Sequence, residues 1–179
     1  MKFFSLLPAI AVAALGAVSV VAQDAKSIVM GVESVTTLSD SARKTTVSLS
    51  VGNAVSEFPV IVKDINKIVS TVGQLTTTIQ KGSGKPLPEQ GAKDVVAALT
   101  TFVKVHQALL NAIIGKHSLA SKFVFTAPIA AALRAIEAGV DTFAFALIDL
   151  IPTGEETTAA NKQFASLQVT IKAAVKEYK

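Results

Sequence analysis

A chain of 179 residues that is half apolar, only 17% charged, and free of cysteine and tryptophan has room for one domain and must hold it together without disulfides. Its formal net charge of +4 comes from 17 basic and 13 acidic residues scattered singly, with no basic cluster set among stacking aromatics, which excludes a nucleic-acid binder. A charged share below the usual value of about 25% calls for a large buried core or for apolar surface put to use.

The N-terminus reads as a secretory signal peptide. Lys2 supplies the positive start, Leu6 to Val21 the apolar run, and Val20-Val21-Ala22 the small-residue end, with cleavage expected before Gln23. The run approaches the length of a membrane anchor, but Pro8, Gly16 and Ser19 interrupt it. No later stretch is expected to cross a bilayer, since the next most apolar one, Val140 to Ile151, contains Asp141 and Asp149. The charged terminus, Lys176 to Lys179, leaves no lipid-anchor signal. The expected organisation is a leader over 1–22, a single helical domain over 23–179, no transmembrane span after cleavage, and a secreted product, extracellular or held at a cell wall.

Apolar residues then recur at helical spacing. Ile28, Val32, Val35 and Leu38 suit a first helix from near Asp24; Thr45 to Val51 alternates as a strand would, but a lone strand has no partner, so the segment reads as a helix continuation or an irregular extension. Gly52-Asn53 with Pro59 should end this segment. Ile61, Ile65, Ile68, Val72, Leu75 and Ile79 form the second stripe, and the Gly- and Pro-rich break from Lys81 to Pro88 follows it. Leu99, Phe102, His106, Leu109 and Ile113 form the third, and Gly115 marks a break before Lys116 to Ser121. Thr126-Ala127-Pro128 reads as a cap with proline in the first turn of the longest stripe, Ile129 to Leu150. Thr153-Gly154-Glu155-Glu156 matches a capping box ahead of Phe164, Leu167, Ile171, Ala174 and Tyr178. The expected fold is all-α: a bundle of about five amphipathic helices without disulfides.

Catalytic chemistry is sparse. His106 and His117 would lie about 16 Å apart on one continuous helix and could not share a metal. No HExxH, glycine-rich phosphate loop or GxSxG elbow occurs, and carboxylates such as Glu33, Asp64, Asp94 and Asp149 are dispersed, so no enzyme, metal or cofactor is expected. His106 interrupts an apolar stripe, either as a hydrogen-bonded core histidine or as the group that meets the polar head of a ligand whose tail lies among the helices. On the helix from Pro128 to Leu150, the line Arg134, Glu137 and Asp141 continues into Phe145 and Ile148, so its second half is apolar on more than one face. Burial against another helix explains this, and so does a cavity or exposed apolar patch, with Phe123 and Phe125 at its mouth. The candidate apolar ligand set is Phe102, His106, Leu109, Phe123, Phe125, Leu133, Phe143, Phe145, Leu147 and Ile148.

The leader, the Cys-free helical domain, the Lys81 to Pro88 break before Val95-Val96-Ala97-Ala98-Leu99, and the terminal pattern Phe164, Ile171, Tyr178 together resemble the fungal hydrophobic-surface-binding protein A family, which includes cell-wall galactomannoproteins. The likeness spans essentially the whole mature chain. It implies a secreted or wall-associated helical protein that adsorbs to hydrophobic surfaces, helping a cutinase or polyesterase reach a solid substrate, or that binds fatty acids between its helices. The family offers no invariant ligand motif to carry over. The chain lacks an Asn-x-Ser/Thr sequon, while hydroxyls such as Thr76-Thr77-Thr78 offer places for O-linked sugar. The reading is therefore a non-enzymatic binder of hydrophobic surfaces or fatty-acid-like lipid, set against a wall component or protein-docking module without a lipid ligand.

Overall fold

The computed structural model describes residues 15–82 and 85–179. Residues 1–14, which carry most of the expected leader, lie outside the described residues. Six helices follow one another: α1 (Leu15–Ser48), α2 (Ala54–Lys81), α3 (Glu89–Gly115), α4 (His117–Lys122), α5 (Thr126–Ile148) and α6 (Glu155–Glu177). No strand occurs among the described residues, and Thr45 to Ser48 continues α1.

Spacing explains the helices. In α2 the buried residues Phe58, Ile61, Ile65, Ile68, Val72, Leu75 and Ile79 step by three and four, so one narrow face goes inward, as in coiled-coil packing. Phe164, Leu167, Ile171, Ala174 and Tyr178 do the same along α6. Buried faces on α3 and α5 are wider, taking in Val95 with Val96 and Ala132 with Leu133.

Side-chain contacts fix the directions. Ala25 lies beside Gly91, Ser39 beside His106 and Leu49 beside Lys116, the last two pairs separated by 67 positions, so α1 and α3 run parallel in one register. Phe58 stacks on Phe125, while Ile79 and Ala146 share a groove, so α2 and α5 are parallel as well. Gln107 reaches Ser166 and Thr170, and the Tyr178 hydroxyl donates to the Ile113 carbonyl, which sets α6 parallel to α3. Gly31 against Leu75 makes α1 and α2 antiparallel, and Gln168 on Asp141 with Phe164 on Phe143 does the same for α5 and α6.

Each long helix packs mainly on two others, in the cyclic order α1, α2, α5, α6, α3 and back to α1. The five form a closed ring in cross-section, with α1, α3 and α6 running one way and α2 and α5 the other. Two glycines permit the closest approaches: a Cβ on Gly31 would meet Leu75 Cδ1 at 2.5 Å, and one on Gly91 would meet Ala25 Cβ at 2.9 Å.

Several local expectations need correction. Pro59 lies inside α2, in its second turn, and does not end the preceding segment. That segment turns where the Asn53 side chain accepts from the Ser50 amide at 2.7 Å and donates to the Ser48 carbonyl at 3.2 Å, which leaves it no bond to the start of α2. Thr126 is already helical, with Phe125 at the cap position and no side-chain cap bond. Thr153 and Glu156 form no capping box; Gly154 holds the cap position of α6, and the Thr157 hydroxyl instead donates to the Pro152 carbonyl at 2.6 Å. Thr76 is buried and bonded to the Val72 carbonyl, so of the three threonines only Thr77 and Thr78 are exposed. Finally, α3 is long and apolar enough to cross a membrane by length and composition, contrary to the expectation above. Here its apolar face packs along α1 and α6 as a core helix.

Candidate functional site

The ring of helices encloses an apolar crevice. Val32 and Val35 of α1, Val72 and Leu75 of α2, Phe102 of α3 and Phe143 of α5 line about 170 Å³ of unfilled space that is nowhere wide enough for a water molecule. Packing geometry accounts for it: Phe102 and Phe143 come from helices that are not neighbours in the ring and reach the middle from opposite sides. Phe143 is held edge-on by Phe164 at 5.9 Å. No polar group lines the space, so it stays dry.

One helical turn beyond this lining, on both α1 and α3, sits a buried polar pair. Ser39 Oγ lies 2.9 Å from His106 Nδ1, both residues are 0% exposed, and the Phe102 ring stacks at a tilt over the imidazole at 5.2 Å. His106 Nε2 has no hydrogen-bond partner. If the serine hydroxyl donates to Nδ1, one polar atom, the Nε2–H, is left over; if Nδ1–H donates to serine, both Nε2 and the serine proton are left over. The first arrangement is favoured, because each buried unsatisfied group costs about 1–3 kcal/mol. Desolvation alone pushes the imidazole down to about 4, so His106 is neutral at physiological pH. Its unpaired edge is a hydrogen-bond donor inside a dry core.

At the far end of the bundle, where α1 and α3 finish, the character changes. Phe58 stacks on Phe125 at 5.0 Å, His117 meets the Tyr178 ring edge-on at 4.9 Å, and the Lys116 ammonium donates to the Leu49 carbonyl at 2.8 Å. Val47, Val51 and Val55 around the α1–α2 turn and Val124 in the α4–α5 turn are exposed. Val124 adopts φ 64°, the left-handed region that a β-branched residue rarely enters. Its amide bonds to the Ser121 carbonyl and that of Phe125 to the Ala120 carbonyl, the helix-ending pattern that normally uses glycine at this position.

The ten candidate residues thus fall in several places. Phe102 and Phe143 line the crevice, and His106 lies outside the lining, one turn along α3 and packed on the Phe102 ring. Leu109, Leu133 and Leu147 are fully buried and do not border it. Phe123 and Phe125 are half-buried at the α4 end. Ile148 packs part-buried on the core, whereas Phe145 is 75% exposed over an open groove of about 420 Å³ that also includes Ile79, Asp149 and Leu150. Sequence reasoning missed Val32, Val35, Val72 and Leu75 as crevice walls, and missed Ser39. The available signal was a serine falling in the step Val32, Val35, Ser39, Ala42, where an apolar residue belongs.

A family model described as Hydrophobic surface binding protein A matches residues 27–149. No curated protein matches the chain by sequence. Among solved structures, the fold is similar to AFMP4P in complex with palmitic acid, with a TM-score of 0.80, 14% identity, and coverage of 87% of this chain and 99% of that one. It is also similar to ligand binding domain 1 of Penicillium marneffei MP1 protein complexed with arachidonic acids, with a TM-score of 0.76, 11% identity, and coverage of 84% and 95%. Ligand binding domain 2 of the same protein, complexed with multiple arachidonic acids, aligns with a TM-score of 0.62 at 15% identity, covering 77% and 94%.

Proposed function

Because the chain belongs to the hydrophobic surface binding protein A family, we propose that it is a non-enzymatic binder of fatty-acid-like lipid that takes the acyl tail into the centre of the helix ring, between Phe102 and Phe143. The observation that carries this reading is the all-apolar crevice at the middle of the ring, in a fold shared with proteins solved with palmitic and arachidonic acids.

As it stands the crevice is closed. It has no room for even a water-sized sphere, whereas ordinary ligand sites hold roughly 300–1,000 Å³. Binding therefore requires Phe102 and Phe143 to swing aside and the helices to spread. An acyl chain of about 15 methylenes gains roughly 12 kcal/mol gross on burial, at about 0.8 each. The cost of spreading the helices and of ordering the bound chain is subtracted from that gross gain.

Native mass spectrometry of the delipidated protein, before and after exposure to a fatty-acid mixture, tests the reading. Stoichiometric acyl adducts are expected; a clean ligand-free mass after exposure overturns it. The leader-like N-terminus supports secretion, to the medium or the cell wall, and N-terminal sequencing of the exported protein should begin at Gln23.

Adsorption to hydrophobic surfaces is a second reading, supported by the exposed Val47, Val51, Val55 and Val124 at one end of the bundle and Phe145 on its side. In this role the protein would help a secreted cutinase or polyesterase reach a solid polyester, so adding it should raise the hydrolase's rate on polymer film but not on a soluble ester. A wall component or protein-docking module without a lipid ligand should stay in the water phase of an alkane partition assay.

A further inference from the structure

We propose that the Nε2 edge of His106, backed by Ser39, is the headgroup anchor of the central crevice, and that it takes a fatty acid together with one proton from solvent, so that the bound pair is electrically neutral. This rests on the lipid reading above and adds what the head of the lipid must be.

Three observations converge. His106 is completely buried, and its Nε2 is an unpartnered polar atom among the described residues. It stands one turn beyond Phe102, while its serine partner stands one turn beyond Val35, and both of those residues line the crevice. Neither His106 nor Ser39 belongs to the crevice lining itself; the polar pair lies one turn further along the same two helices, where the head of a single-headed, long-tailed molecule would stand once its tail has spread Phe102 and Phe143 apart.

The third observation is the charge around it. Among the described residues the buried polar side chains are Ser39, Thr46, Thr76, His106 and the hydroxyl of Tyr178 at the α4 end, and no lysine or arginine is among them. Thr46 and Thr76 are bonded to carbonyls of their own helices. The ionisable groups near this level of the bundle lie on outer faces: Asp40 of α1 with its partners Arg43 and Lys44, Lys63, Asp64 and Lys67 of α2, Lys104 of α3, Arg134, Glu137 and Asp141 of α5 and Lys172 of α6 are exposed or half-buried. Among the described residues no charge in the core can compensate a carboxylate. An ionised fatty acid entering this slot would be a buried, unpaired anion, which proteins avoid by shifting protonation. A neutral imidazole and a carboxylate gain one proton on joining. Either the acid oxygen holds it while the acid carbonyl accepts from Nε2–H, or the ring holds it and Nδ1–H turns to donate to Ser39 Oγ. Both forms satisfy the orphaned nitrogen, and both have zero net charge.

The test is isothermal titration calorimetry of the delipidated full chain with decanoic acid, in phosphate and in Tris, with 1-decanol as a non-ionising control. The expected result is uptake of about one proton per decanoic acid and an affinity that rises about tenfold for each pH unit lowered between about pH 8 and about pH 6. 1-Decanol should bind with no proton uptake and no pH slope. The His106→Phe variant should lose at least about tenfold for the acid and far less for the alcohol, and His106→Gln, which keeps an N–H donor, should recover part of the loss. The His106 Nε2–H resonance of the unsubstituted protein should move on adding the acid, a readout that does not depend on whether a variant folds. Tight decanoic acid binding with no proton uptake and an unmoved Nε2–H overturns the anchor and leaves lipid binding standing. If neither decanoic acid nor 1-decanol binds, the lipid reading fails and the anchor with it.

Discussion

The centre of the helix ring and its α4 end treat apolar side chains in opposite ways. At the centre, Phe102 and Phe143 are buried in a dry lining and the one discordant group is a polar atom without a partner. At the α4 end, Val124 is 83% exposed on a backbone conformation that disfavours it, and Val47, Val51 and Val55 are also exposed. One region hides a polar group that water would satisfy, and the other shows water side chains that a core would satisfy. Neither arrangement is what stability alone selects, and each points to something outside the chain: a molecule with a polar head for the first, an apolar phase for the second.

The contrast can be broken most forcefully at the centre. Phe143→Ala should cost about 3–5 kcal/mol, because it removes a buried ring and enlarges a space that cannot fill with water, and urea denaturation should show it. If the crevice is the lipid site, the same variant should regain stability with long-chain fatty acid, and the recovered midpoint is the discriminating observation.

Next in size is acid lability. His106 is held down at about 4 in the fold against 6.5 when unfolded. Between these values the unfolded state binds the extra proton, so the contribution is complete above about pH 6.5 and is lost as the pH falls toward about 4. The loss should be about 3 kcal/mol, and His106→Phe should flatten this part of the stability profile, as thermal melts across that range would reveal.

At the α4 end the expected sign reverses. Val124→Gly should stabilise the protein by about 1 kcal/mol, because glycine adopts the left-handed conformation without a side-chain clash. If Val124 contacts a hydrophobic phase, the stabilised variant should nevertheless adsorb more weakly to an alkane surface. Phe145→Ser should change stability least, within about 0.5 kcal/mol for an exposed position, while lowering adsorption if the side groove takes part.

The helices were legible because burial on one face imprints a spacing of three and four, as in Phe58 to Ile79. The ends were less so. Pro59 and the Thr153 to Glu156 run carry strong local signals, yet the Asn53 amide and the Thr157 hydroxyl settle the turns through bonds that spacing does not reveal. The discordance of His106 could be read from its place in an apolar stripe, but its partner Ser39 is 67 positions away and depends on α1 and α3 running parallel. Val124 was invisible for a different reason: a valine gives no hint of left-handed backbone, which is ordinarily announced by glycine.

The shared register of α1 with α3 also governs how the protein is made. Contacts such as Ser39 with His106 and Leu49 with Lys116 join residues 67 positions apart, so a growing chain that has completed only α1 and α2 has part of a wall and no centre. Closing such long loops before the contacts reward them slows the search, in contrast to bundles whose neighbours in space are neighbours in sequence. The ring closes only when α5 and α6 are present to cover α2 and α3, and until then the valine and isoleucine stripes of the first two helices stay open to any chaperone that recognises apolar helix faces.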